Sequence, residues 1–313
     1  MKSKSIITHE ARRRQSAVKL AKRKGKSFAA LIFGVSLSSI KRWVKRYDGT
    51  LQSLREGSHK PKSHPKQQSA AEEANIRKAY DAKFYRYGWD GVYDELVDHY
   101  GYKRSWGGMY HAAKRMGLAT KPKKRGKRED RRFPEVLTPG ELVQIDVKVV
   151  PYNCLRQKVK DEDRRFYQWT AIDACTRLRF VYAFDEHTPE NTVKFFELLL
   201  QEFPFKIQKV QTDNGSEFTY RFISDTKECP FDTFLNDLKI AHKLIAPHTP
   251  WHNGKVERSH RNDQRYFYDW ETFSSLDDLN RKLAKHLEWS NNKRMRTLGR
   301  ISPIEKLRLI QAA

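Results

Sequence analysis

The chain has 313 residues, 38% hydrophobic and 12% aromatic, enough to bury a catalytic core and, at the usual size, to form about two or three domains. No apolar run approaches the ~18 residues that span a bilayer. The segment Met1-Lys-Ser-Lys-Ser-Ile-Ile-Thr-His lacks the apolar core of a secretory signal, and Cys154, Cys175 and Cys229 show no C-x-x-C spacing. These features argue against a membrane span, export, a disulfide framework and a Cys-rich zinc site, and predict a cytoplasmic protein. The net charge of +24 is unevenly spread: 34 lysines and arginines face 13 acids through Gly140, and 28 face 25 from Glu141 onward. So segregated a charge predicts a polyanionic partner, DNA or RNA, for the first part of the chain.

Residues 8–25 read as a helix with Glu10 in its first turn, Ala17, Leu20 and Ala21 as an apolar stripe, and Gly25 as a stop. A short helix ending at Gly34 follows, then a third with Ile40, Val44 and Tyr47 spaced by four and three, beside Trp43. Short helix, tight turn and basic helix fit a helix-turn-helix domain over 1–56. In such a domain the N-terminal residues of the second helix meet base edges in the major groove, here Ser36, Ser38, Ser39, Lys41 and Arg42. Residues 57–69, rich in Pro, Ser and Lys, are expected to be an extended linker. A second helix-turn-helix-like domain is expected over 70–120, with helices near 70–85, 90–100 and 105–116. Its predicted core is Trp89, Val92, Leu96, Trp106, Tyr110, Met116 and Leu118. A basic linker at 121–134 carries Lys123, Lys124 and Arg125, which are expected to follow a DNA backbone.

From 135 the pattern changes. Residues 141–151 alternate, with Val143, Ile145, Val147 and Val149 on one face and Gln144, Asp146 and Lys148 on the other, as in a strand. Strands at 166–173 and 178–184 form a meander around Ala174-Cys-Thr-Arg. A helix at 189–203, a strand at 206–212, a helix at 231–238, a strand at 243–246 and helices at 254–271 and 276–291 follow. The series predicts a mixed α/β sheet flanked by helices. Asp146 lies mid-strand on the polar face, where a carboxylate needs a cation or donors. Asp213 falls where a strand enters Asn214-Gly215, a turn that exposes the carboxylate at the strand end. Glu257 sits one turn into the 254–271 helix. Wheel projection puts Val256, His260, Phe267 and Trp270 on its core stripe and turns Glu257 toward Arg261 and Arg265. An intrahelical pair of Glu257 with Arg261 is the structural alternative.

Three strings converge on one family. They are Glu141–Val149 around Asp146, Val210-Gln-Thr-Asp-Asn-Gly-Ser-Glu-Phe around Asp213, and His248-Thr-Pro-Trp-His-Asn-Gly-Lys-Val-Glu-Arg around Glu257. Over roughly 135–310 they resemble the catalytic domain of retroviral integrases and bacterial insertion-sequence transposases, the DDE superfamily. The tandem N-terminal layout looks like the insertion-sequence branch. The resemblance implies an RNase H-like catalytic domain at 135–313, a mixed five-stranded sheet. In it Asp146, Asp213 and Glu257 converge as catalytic residues and metal ligands for two Mg²⁺ ions, with Mn²⁺ as a substitute, and no covalent protein–DNA intermediate forms. It implies a transposase of the bacterial cytoplasm and nucleoid that binds the element's ends, cuts DNA and joins a 3′-OH to target double-stranded DNA, as a homodimer or higher oligomer on that DNA. Lys255, Arg258, Arg261 and Arg265 are expected to meet phosphates, and Trp251 and His252 either to touch DNA or to support the helix start. The alternatives are a DNA-binding regulator with an inert integrase-like domain and a metal-dependent nuclease that does not join strands. Two departures stand out. No Cys pair matches the retroviral zinc module, and the stretch between Asp213 and Glu257 is longer than the family's usual one, with the surplus expected near 220–230.

Overall fold

The computed structural model describes residues 9–56, 67–119, 135–161, 164–221, 227–246 and 249–312. Chain contacts divide it into two compact units, Met1–Gln68 and Ser69–Ala313. No helix among the described residues is long and apolar enough to cross a membrane.

In the first unit, α1 (His9–Lys24), α2 (Lys26–Phe33) and α3 (Leu37–Arg46) close around Ala17, Ala21, Ala29 and Ile40, with Leu20, Phe33, Trp43 and Val44 partly buried against them. Small alanines let the helices approach closely. Gly34 ends α2 at φ 60, a left-handed backbone that costs glycine little. Two residues on, the Ser36 side chain accepts the Ser39 N–H and caps α3.

The second unit opens with α4 (Ala70–Tyr100), whose start carries a full capping box between Ser69 and Glu72. The two helices expected at 70–85 and 90–100 are one long element broken at Gly88 (φ 64, ψ −161). With α5 (Trp106–Arg115) it encloses Val92, Leu96 and Met109, with Trp89, Trp106, Tyr110, Met116 and Leu118 packed on them; all but Met109 were expected in this core.

The sheet that follows has five strands. Strands β1 (Val143–Val149), β2 (Tyr167–Asp173) and β3 (Arg179–Phe184) form an antiparallel meander. The β2–β3 turn is tied by Asp173, which accepts the Thr176 N–H and hydroxyl at 2.7 Å and the Gly140 N–H at 2.9 Å. Helix α7 (Pro189–Glu202) then carries the chain across to β4 (Lys209–Thr212), which lies parallel beside β1, and α8 (Pro230–Asp237) leads to β5 (Ala241–Leu244), parallel beside β4. Phe195, Phe196, Leu199, Phe231 and Leu235 from α7 and α8 cover Val143, Ile145, Trp169 and Val210. Each such side chain contributes about 1.5–3 kcal/mol on burial. Between β1 and β2 lies a short α6 (Gln157–Asp161), and α9 (Gly254–Asp263), α10 (Leu276–Asn292) and α11 (Pro303–Gln311) complete the unit.

One expectation fails at the end of α9. The helix foreseen as continuous over 254–271 turns into a π-helical segment, Gln264–Tyr268. The wider i→i+5 turn shifts the phase, so Phe267 is buried while Trp270 is 48% exposed and leaves the stripe that an ideal wheel assigned it.

Candidate active site

Asp146 and Asp213 are brought together by strand register. Val143 pairs with Val210 and Gln144 with Gln211 in parallel, and two residues further along the same register come the two aspartates. Neighbouring strands run about 4.8 Å apart. Asp213 lies just past β4, its carboxylate accepting the Gly215 N–H at 3.0 Å, while Thr212 Oγ1 donates to the Asp213 carbonyl at 2.8 Å.

Glu257 is positioned by the start of α9. Asn253 precedes the helix without capping it, so a strand side chain does so instead. Gln144 Oε1 accepts the N–H of Lys255 at 3.1 Å and of Val256 at 3.3 Å, satisfying two of the orphan donors of the first turn. Gln144 and Gln211 both donate to the His252 carbonyl, at 2.8 and 2.9 Å, and Asn253 Nδ2 donates to the Ile145 carbonyl at 3.1 Å. These bonds lock the Trp251–Asn253 turn, and with it Glu257, to the strand that carries Asp146. Gln144 and Gln211 were not singled out in the sequence. The signal was there, a polar side chain two positions before each aspartate on the same strand face.

The electrostatics follow from this crowding. Burial, and then the charges of Asp213, Glu257 and Glu217, push the Asp146 carboxyl up to about 7, against a hydrogen bond from the Val147 N–H at 3.0 Å that lowers it. Glu217 is a fourth acid that sequence reasoning passed over, although it stands within the Asp-Asn-Gly-Ser-Glu-Phe string. It is buried, folds over Gly215, and pairs with His187 at 2.9 Å. His260, placed on the apolar stripe by periodicity, instead holds Nδ1 3.4 Å from Asp146 Oδ2. Burial, aided by Lys148 and Arg179, pushes its imidazole down to about 3, so the ring is neutral near pH 7 and the contact is not an ion pair. Lys148, on the same strand face, is held down by burial and lies 4.4 Å from the Tyr268 ring centre.

Glu257 forms no ion pair among the described residues, so the alternative pair with Arg261 is not formed. Nor do three His, Cys, Asp or Glu side chains among the described residues stand close enough to hold one ion as placed. The donor set nevertheless suits a hard divalent cation. It offers carboxylate oxygens only, and they repel one another where they stand.

The remaining sequence candidates are spread out. Ser36 and Ser38 are exposed and Ser39 is half-buried at the start of α3, the Ser36 hydroxyl bonded to those of Ser38 and Ser39, with Lys41 and Arg42 beside them. Lys123, Lys124 and Arg125 lie outside the described residues, as do 222–226 and His248. Arg258 and Arg261 are exposed on α9, and Lys255 is half-buried, its ammonium pushed down by burial and by Arg177. The Arg265 guanidinium rests against Gly88, where a Cβ would come within 2.6 Å of it.

The integrase core domain family matches residues 137–250, and a second integrase core domain signature matches 238–303. Together they span the sheet and all three carboxylates. The chain belongs to the integrase-core family of the DDE integrase and transposase superfamily, and its five-stranded mixed sheet flanked by helices is the RNase H-like core foreseen from sequence. It is similar to ORF3 of Spiroplasma virus SpV1-C74, named as an integrase (29% identity over 141 residues, 42% of this chain and 39% of that one). It is also similar to the retrovirus-related Pol polyprotein of transposon TNT 1-94 of Nicotiana tabacum (32% over 123 residues, 39% of this chain and 8% of that one). The chain thus spans less than half the length of these relatives. Among solved structures, the BIV integrase catalytic core aligns at 22% identity and TM-score 0.39, over 55% of this chain and 97% of that one. The HTLV-2 integrase catalytic core in complex with magnesium aligns at 20% and 0.40, over 55% and 98%.

Proposed function

We propose that the protein is a transposase of the insertion-sequence type, which binds the ends of a mobile element, cuts there and joins the freed 3′-OH to target double-stranded DNA. The observation that carries this is the convergence of like charges at Asp146. A half-buried aspartate faced by the charges of Asp213, Glu257 and Glu217 is unfavourable in isolation and is relieved by cations. Asp146, Asp213 and Glu257 would hold two Mg²⁺ ions, or Mn²⁺ in their place, which supply an activated hydroxyl and stabilise the leaving oxygen. The chain's own part is placement. The β1–β4 register sets the two aspartates side by side, and Gln144 fixes the height of Glu257 above them. Neutral His260 limits the swing of the Asp146 carboxylate. Lys255, Arg258 and Arg261 offer positive charge along α9 for phosphates, and Ser36, Ser38, Ser39, Lys41 and Arg42 present α3 to the major groove as a helix-turn-helix. Because two ends must be held at once, the working form is a homodimer or larger on DNA.

The test incubates the full chain with labelled element-end DNA, a target plasmid and Mg²⁺. Joined products are expected. Cutting without joining would identify a nuclease, and binding without either a regulator. Asp146→Asn should remove all chemistry and keep DNA binding; a fully active variant would remove Asp146 from the site.

A further inference from the structure

A cleft of about 640 Å³ opens between α9 and the 293–297 segment that follows α10. Lys255, Arg258, Ser259 and Asn262 line it from α9, at helical spacings of three and four, so they share one face of that helix. Glu257 and His260, which look toward Asp146, fall off that face. The cleft is therefore separated from the carboxylates by the body of α9.

Its walls are strongly cationic. Arg177, Lys255, Arg258, Lys293 and Arg296 all line it, and none of the five has an acidic partner among the described ion pairs. Asp90, the acid on its wall, is held by Arg300 at 3.3 Å, and Arg294 is held by Asp98 at 2.8 Å. Behind them stands Arg179, 4% exposed. Two of its nitrogens are used, by Asp263 at 2.6 Å and Ser290 at 3.0 Å, while its buried Nε finds no partner. An unmet donor beside cations that lack acidic partners favours an anion there. The aromatic faces are already taken: the Lys293 ammonium lies 3.9 Å from the Tyr266 ring centre and 5.1 Å from that of Trp289. The cleft thus offers charge and N–H donors but no free ring for a base.

We propose that this cleft is a phosphate-binding site for the backbone of a nucleic-acid strand that passes α9 on the side away from the carboxylates. It rests on the nucleic-acid reading of the function. Its ligand is the phosphodiester, read without regard to base, because the walls supply ionic contacts and no stacking platform.

The experiment measures binding of the full chain to labelled duplexes of two unrelated sequences, in chelator, over a salt series. The variant is Lys293→Ala with Arg296→Ala, and Lys293→Arg with Arg296→Lys is the charge-preserving control. The alanine pair is expected to weaken both duplexes equally and to lower the slope of log K against log salt by roughly 1–2, while the control stays near wild type. Thermal melting confirms that the variants remain folded and adds an arm with inorganic phosphate, which is expected to stabilise the wild type far less than DNA does. An unchanged salt slope in the alanine pair, or inorganic phosphate matching DNA, would overturn the proposal. No chemistry occurs in chelator, so failure to join strands would sink the transposase function and leave this site standing, and the reverse also holds.

Discussion

Asp263, fully buried, and Asp146, half-buried, are two carboxylates that the fold treats in opposite ways. Asp263, fully buried, meets Arg179 at 2.6 Å, Gln168 at 3.0 Å and His286 at 3.0 Å. Burial alone would raise its carboxyl; Arg179 and His286 override that and hold it well below the usual range. Its contribution to stability is present above the unfolded value of about 3.9 and is lost as pH falls through the lower folded value. Asp263→Asn strands the Arg179 guanidinium without a counter-charge. It should cost about 3–5 kcal/mol at pH 7 and flatten the acid limb of a denaturation series below about pH 4. A variant as stable as wild type with the same acid limb would refute the role. Asp146 has the opposite sign. With its carboxyl raised to about 7, the folded chain favours the protonated form, so stability is highest below the unfolded value and declines as pH rises toward 7. In chelator at pH 8, Asp146→Asn should therefore be more stable than wild type, by roughly 2–4 kcal/mol. Added Mg²⁺ should raise the melting temperature of the wild type more than that of the variant. Equal stability and equal response to Mg²⁺ would contradict the charge crowding.

At the scale of elements, the geometry of the site depends on how α9 begins. Gln144→Ala deletes the acceptor of two helix N–H groups and one donor to the His252 carbonyl. Leaving those groups buried and unpaired should cost about 1–3 kcal/mol each where water cannot replace the bond. Strand joining should fall more than DNA binding, since Glu257 loses its fixed height above Asp146. Calorimetry with a paired kinetic assay tests this, and normal turnover in a destabilised variant would show that Gln144 supports the fold alone. The alternation Val143-Gln-Ile-Asp-Val made β1 legible, because a strand's two faces are written directly in its sequence. The identity of the α9 cap was not legible, because it comes from a residue more than a hundred positions away. Helical periodicity also misplaced Trp270. A wheel assumes 3.6 residues per turn throughout, and the π segment Gln264–Tyr268 breaks that assumption just after α9.

For the molecule as a whole, the charge asymmetry is the dominant feature. The unit Met1–Gln68 and the basic stretches after it carry most of the positive excess, and the sheet region is nearly balanced. Binding to duplex DNA should accordingly fall steeply with salt. Lys41→Ala with Arg42→Ala should weaken binding and reduce discrimination between the element's end and unrelated sequence, without lowering the melting temperature, since neither side chain is buried. Unaltered affinity and discrimination on duplexes of both kinds would take α3 out of the groove.

The amino-acid sequence by itself determined the strand pattern, the helix stops, the segregation of charge and the three carboxylate strings, because each is a local property of spacing and residue type. Only the tertiary structure decided that Glu217 and His260 join Asp146, that a strand glutamine caps α9, and that unpaired cations gather on the far side of that helix. Those outcomes depend on which distant surfaces meet once the sheet closes, and burial and charge act there through space rather than along the chain.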